Sequence, residues 1–238
     1  PALAKTPNFD RLIAQCPNAQ LITHGNQVGL PADQMGNSEV GHTNIGAGRI
    51  VAMDLGQINL AIEDGSFFNN APLQNFAASV QAKSGAAHLL SMVSDGGVHG
   101  HIAHLLAASQ ALVDAGVSVV VHAITDGRDV APRSADHYIR ELQQALPEGA
   151  QIGTVTGRYF ALDRDNRWDR VHVAYDAIVH ARSERQATSA AAAVAQSYAH
   201  DVSDEFLTAT VIEGYRGLAD GDGVFCLNFR ADRAREIL

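Results

Sequence analysis

Four short apolar runs organise the larger part of the chain, at 87–93, 117–125, 151–156 and 223–229, each the length of one buried strand. Between and after the first three, apolar positions recurring with a helical period predict helices over 102–115, 134–146, 168–181 and 189–200. Strands alternating with helices predict an α/β fold with a mainly parallel sheet and helices on both faces. The beginning of the chain reads differently. Thr6 followed by Pro7 offers an N-cap and a first helical residue, predicting a short helix that ends near Cys16, and 20–23 reads as a brief strand. Glycine then recurs between Gly25 and Gly48 too often for regular structure, which predicts loops where backbone must approach something closely. Ser66 is expected to cap a helix through about Gln81, with Gly85 as its stop, and 231–238 to open a last helix.

Polar residues gather where each apolar run ends. The clusters are Ser94 to His101, Asp126-Gly127-Arg128-Asp129, Gly157 to Arg164, and Arg230-Ala231-Asp232-Arg233. Ligands of open parallel sheets bind outside the carboxyl ends of the strands, so the four clusters are expected to meet at one crevice. They would bring Arg128, Arg158, Arg164, Arg230 and Arg233 together, with His99 delivered by the two glycines before it.

Composition sharpens this expectation. At 238 residues and 46% apolar content the chain suits a globular protein with a real core, and its formal charge of −9 argues against nucleic acid or an anionic membrane as partner. Fifteen of its seventeen basic side chains are nonetheless arginine, the residue suited to bidentate grip on carboxylate and phosphate, although GC-rich coding would enrich arginine too. Several guanidinium groups gathered in an acidic protein suit a multiply charged anion such as a phosphorylated carboxylic acid. Two cysteines make no disulfide framework and no apolar run approaches the ~20 residues of a membrane span, so a reducing cytoplasm is the default.

Each motif has a plainer reading. The stretch 157–170 also holds Asp163, Asp165 and Asp169, which fits a loop fixed by local ion pairs. His99, His101 and His104 have loose metal-ligand spacing, and an anion- or hydroxyl-binding role suits His99 better. Ser38, between Asn37 and Glu39 with His42 nearby, could be a nucleophile activated by a base or metal, but Val40 breaks the hydrolase elbow pattern and an Asn-Ser pair often caps a helix.

Taken together, the segments resemble one family. Leu30 to Gly48, with Met35-Gly36-Asn37-Ser38-Glu39-Val40-Gly41-His42 at its centre, is similar to the nucleophile segment of the cofactor-independent (2,3-bisphosphoglycerate-independent) phosphoglycerate mutases. Gly96 to His99, Asp126 to Asp129, Gly157 to Trp168 and Asn228 to Arg233 resemble that family's substrate-binding motifs, in the same order. The resemblance implies interconversion of 3-phosphoglycerate and 2-phosphoglycerate, in glycolysis and gluconeogenesis, through a phosphoserine on Ser38. It implies that His99, Arg128, Asp129, Arg158, Arg164, Arg230 and Arg233 hold the glycerate, with Asp129 shuttling protons between its hydroxyls. It also implies two divalent cations, commonly Mn²⁺, no 2,3-bisphosphoglycerate, and a cytoplasmic monomer whose only partner is its small-molecule substrate.

Of the metal-binding set in that family, the sequence matches only Ser38, so residues 1–52 read as part of a split phosphatase-like domain and 53–238 as most of an inserted transferase domain. The absence of an initiator Met and of a closing helix cap suggests a partial sequence. A related metal-dependent phosphomutase or phosphatase, and a module that binds phosphoglycerate without turning it over, remain the alternatives.

Overall fold

The computed structural model describes residues 4–31, 34–51 and 53–238, so Ala32 and Asp33 of the serine motif, and Ala52 at the expected domain boundary, lie outside it. The chain divides into two compact units, Pro1–Met53 and Asp54–Leu238.

In the first unit, helix α1 (Pro7–Gln15) starts on Thr6 and Pro7 and buries none of its residues. The expected strand at 20–23 does not form; that stretch is unpaired coil. Between Gly25 and Gly48 two helical elements replace the expected loops, a 3-10 turn Gly25–Val28 and helix α2 (Ser38–Ala47). The Asn37 side chain accepts the Val40 N–H at 3.1 Å and Gly48, at φ +63°, closes the helix, so good caps offset the roughly 1 kcal/mol cost of each internal glycine. Close backbone approach survives at Gly36, where a Cβ would lie 1.6 Å from the Thr23 carbonyl oxygen. The buried apolar side chains described here are Leu30 and Val40.

The second unit opens with helix α3 (Asp54–Glu63). The helix expected from Ser66 starts later: Ser66–Asn69 is a 3-10 turn, and Asn70 caps α4 (Ala71–Ala82), with Pro72 in its first turn. The regular alternation follows as β1 (Ala87–Met92), α5 (Ile102–Asp114), β2 (Val119–Thr125), α6 (Ala135–Ala145) and β3 (Ala150–Gly157). A four-residue helix α7 (Arg158–Ala161) leads to α8 (Trp168–His180), then β4 (Arg185–Ala187), α9 (Ala190–Ala199), β5 (Thr210–Ile212) and β6 (Gly223–Cys226). The final segment forms a 3-10 turn at Ala231–Arg233 and further turns instead of the expected helix.

These strands make one six-stranded sheet in the order β4-β5-β3-β2-β1-β6, with every neighbouring pair parallel except β3 and β5. Alternate residues feed opposite faces. Leu89, Val119, Val121, Ala123 and Val155 pack with Leu105, Leu112, Ile139, Leu142 and Val194 of α5, α6 and α9, whereas Leu90, Met92 and Ile124 pack with Leu162, Val171, Ala174 and Ile178 on the side of α7 and α8. The fold is thus the mainly parallel, doubly covered α/β sheet that the apolar runs predict, with β4 and β5 as short reversed additions at one edge.

The second face also buries a polar line. Thr154 Oγ1 donates to His122 Nδ1 at 2.9 Å, His122 Nε2 donates to His88 Nδ1 at 3.0 Å, and His88 Nε2 donates to Asp222 Oδ2 at 3.1 Å. Burial, with His88 alongside, depresses His122 from its ordinary 6.5 to about 3, and burial lowers His88 against the opposing pull of Asp222. Both rings are therefore neutral in the folded state and charged in the unfolded chain at mild acidity. The His122 contribution is intact above about pH 6.5 and declines as pH falls toward 3, by about 1.4 kcal/mol per pH unit, and the lowered His88 acts in the same direction. Urea denaturation between pH 7 and 4 is expected to show this loss of stability, and His122→Gln to make its slope shallower.

Candidate active site

Because β6 runs parallel to β1 on the side away from β2, the loops after β1, β2, β3 and β6 leave one edge of the sheet, and β1 marks the point where the strand order reverses. Pairing of β1 with β6 continues into their loops: the Met92 N–H donates to Asn228 Oδ1 and the Phe229 N–H to the His99 carbonyl, both at 2.9 Å. The glycine-bearing turn after β1 thereby places His99 beside the arginine-bearing turn after β6.

Arg158, the first residue of α7, is 6% exposed and lies at the middle of the group. Its Nη1 donates to Asp126 Oδ1 at 2.7 Å and to Asp129 Oδ2 at 2.5 Å, and its Nη2 donates to His99 Nε2 at 2.7 Å. Burial works against its charge, but the Asp129 and Asp126 carboxylates outweigh that effect and hold it above its ordinary value. A guanidinium only donates, so His99 Nε2 must be an acceptor and the neutral ring carries its proton on Nδ1. His99 is depressed to about 4, first by burial and next by Arg158, with Arg230 and Arg233 adding to the effect and Asp129 opposing it. The 3.5 Å approach of His99 to Asp129 is thus a contact of a neutral ring, not an ion pair, near neutral pH.

Three more arginines join them. Asp232 Oδ2 accepts from Arg164 at 2.9 Å and its Oδ1 from Arg230 Nε at 3.0 Å, while Arg233 Nη1 donates to the Leu162 carbonyl at 3.0 Å. Arg233 is lowered by burial first and then by the charges of Arg164, Arg158 and Arg230, with Asp232 opposing, which places those three cations within electrostatic range of Arg233. Buried donors remain open among them: His99 Nδ1, Asn228 Nδ2 and Arg233 Nε have no protein partner. Arg128 stands apart, with a side chain 65% exposed and a guanidinium paired to Glu205 at 3.2 Å.

Of the sequence-derived site residues, the structure brings together His99, Asp129, Arg158, Arg164, Arg230 and Arg233. Ser38 belongs to the first unit, as the exposed first residue of α2, where His42 Nδ1 lies 2.7 Å from its carbonyl oxygen and 3.1 Å from its hydroxyl. Asn37, not Ser38, caps that helix, which leaves the hydroxyl clear of capping duty. Asp126 and Asp232 were not singled out by sequence. The available signal was the spacing of Asp126 to the backbone N–H groups two and three residues on, which is that of an Asx turn.

The described residues do not make a metal site. His101 Nδ1 caps α5 through the Ala103 N–H and His104 Nε2 meets Asn59 Oδ1, and among the described residues no three His, Cys, Asp or Glu side chains are placed to hold a cation. Nor is any described helix long and apolar enough to cross a membrane.

Fold and site together make a mainly parallel α/β domain that gathers four arginines at the carboxyl ends of its strands. Residues 58–238 match the protein-family model described as "BPG-independent PGAM N-terminus (iPGM_N)", and the chain belongs to that family. It is 67% identical to the 2,3-bisphosphoglycerate-independent phosphoglycerate mutase of Agrobacterium fabrum and 65% identical to that of Ruegeria pomeroyi, in each case over 238 residues, the whole of this chain and 47% of the relative. The chain thus spans about half the length of these curated relatives. A crystal structure of Leishmania mexicana phosphoglycerate mutase at low cobalt concentration is similar with a TM-score of 0.85 and 30% identity, over 99% of this chain and 46% of the other.

The site's electrostatics can be checked directly. By NMR the His99 ring is expected to titrate near 4, and Arg233→Met, which removes one of the like charges, to raise that midpoint. A midpoint near the ordinary 6.5 in the parent would show that the arginines do not surround His99 in solution.

Proposed function

We propose that the chain supplies the substrate-binding domain and the nucleophile-bearing segment of a 2,3-bisphosphoglycerate-independent phosphoglycerate mutase, which interconverts 3-phosphoglycerate and 2-phosphoglycerate through a phosphoserine. In this reading Asp54–Leu238 is the transferase domain and Pro1–Met53 part of a split phosphatase-like domain. The observation that carries the reading is the convergence of Arg158, Arg164, Arg230 and Arg233 around a neutral histidine and Asp129. Four cations with open donors suit a ligand bearing phosphate at one end and carboxylate at the other, and its carboxylate would compete with Asp232 for Arg164 and Arg230.

The Ser38 hydroxyl takes the phosphoryl group as the bond from phosphorus to the glycerate oxygen breaks, and the released oxygen gains a proton. The arginines retain the glycerate while it reorients. Its other hydroxyl then gives a proton to Asp129 and receives the phosphoryl group from Ser38, which regains its own proton. Neutral His99 can donate from Nδ1 to a glycerate oxygen throughout, because its depressed basicity keeps it from becoming a further cation among the arginines. Arg128 joins by exchanging Glu205 for the substrate. Divalent cations, with Mn²⁺ as the first candidate, would supply charge neutralisation at the phosphoryl group; among the described residues, Ser38 is the one that the family resemblance assigns to them.

A second reading applies to the 238 residues by themselves. With no set of metal-holding side chains among the described residues, the chain alone would bind phosphoglycerate without turning it over. A full-length mutase containing this chain is expected to equilibrate the two phosphoglycerates with Mn²⁺ and no added bisphosphoglycerate, and the 238-residue chain to be inert. Ser38→Ala should abolish phosphoenzyme formation and leave 3-phosphoglycerate binding largely intact. Loss of both would make Ser38 a structural residue, and turnover by the short chain would sink the second reading.

A further inference from the structure

Asp126 follows β2 directly, is 3% exposed, and is the point at which the ends of three strands are tied together. Its Oδ2 accepts the Ser94 hydroxyl, from the end of β1, at 2.7 Å. Its Oδ1 accepts the backbone N–H groups of Arg128 at 3.2 Å and Asp129 at 3.0 Å, closing the turn that Gly127 permits at φ +68°, and also receives Arg158 Nη1, from the end of β3, at 2.7 Å. Burial pushes the carboxyl up, but the Asp129 N–H, the Ser94 hydroxyl and Arg158 together outweigh it, so the group stays ionised in the closed turn. The same guanidinium nitrogen that meets Asp126 also meets Asp129. Two carboxylates therefore share one cation, and only Asp129 reaches the open side, with a side chain 19% exposed against 2% for Asp126.

We propose that Asp126 is a positioning residue for this site, its carboxylate setting where the Asp129 carboxylate and the Arg158 guanidinium stand and taking up part of the Arg158 charge. The inference rests on the proposed mutase reading, in which Asp129 carries protons to and from the glycerate hydroxyls. With the Asp126 carboxylate neutralised, Arg158 is left with Asp129 as its one carboxylate partner at this turn, and the place where the two stand is no longer fixed from beneath. The other groups that feel Asp126 are Asp204, beneath the same turn, and Tyr138, which is hydrogen-bonded to Asp95. Asp204 is held by the Ser134 and Ala135 N–H groups and the Tyr198 hydroxyl, and Tyr138 is pushed far above neutral pH, so neither substitutes for Asp126 as a partner of Arg158.

The test uses a full-length mutase containing this chain. Asp126→Asn keeps the shape and removes the charge. It is expected to melt within a few degrees of the parent and to lose about 10- to 100-fold in kcat with a smaller change in KM. A folded D126N with the parent's kcat overturns the proposal. Should D126N fail to fold, Ser94→Ala removes one carboxylate partner without touching the turn; a several-fold fall in kcat is expected, and an unchanged kcat overturns it. A parent that folds but does not interconvert the phosphoglycerates fails the mutase reading instead. The positioning role then stands or falls on the NMR titration of His99, whose midpoint moves in D126N if Asp126 holds Arg158 in place and stays near 4 if it does not.

Discussion

The direction of one strand decides whether the residues after β6 can meet those after β1. β6 lies beside β1 and runs parallel to it, so residues about 130 positions downstream of His99 emerge at the same edge of the sheet as His99 itself. An antiparallel β6 would have sent Arg230 and Arg233 to the opposite end. Parallel pairing needs a long crossover and burial on both faces, and the chain provides both through its intervening helices. Strand direction thus makes a site out of side chains that local sequence keeps apart.

Concentrating cations there has an internal cost, which the acids around them offset. Arg158 shares its charge with Asp126 and Asp129, and Asp232 spans Arg164 and Arg230. The two arrangements differ in permanence. The Arg158 set is buried and anchored to backbone N–H groups, so it behaves as fixed framework, whereas the Asp232 pairs are part-exposed and exchangeable at modest cost. Donors without protein partners thus stand beside a fixed set of pairs and a more exposed, exchangeable one, as the proposed reorientation of a bound glycerate would require.

The sheet and its main helices were legible in the sequence because buried parallel strands are nearly continuous apolar runs, as 87–93 and 117–125 are. Helix α2 was not, because glycine content argued against helix while the Asn37 cap, worth about 1 kcal/mol, argued less visibly for it. Strands β4 and β5 have three residues each and take their form from the edge of β3, which no local pattern records. At the site, the clustering of arginines at strand ends could be read from the residues, whereas the individual roles came through family resemblance. Asp126 and Asp232 looked like ordinary loop acids because their importance lies in partners 32 and 68 residues away.

The link from Met92 to Asn228 spans 136 residues, and it carries a consequence for how the protein comes into being. β1, β2 and β3, with α5 and α6, can pair and pack locally as they emerge, but the arginines after β6 reach the crevice only when a very long loop closes. A chain in which only the central strands have paired still lacks Arg230 and Arg233 in the crevice. The group of four guanidinium groups is complete only when β6 has paired with β1, so a ligand that grips all four would add its binding energy to that closure.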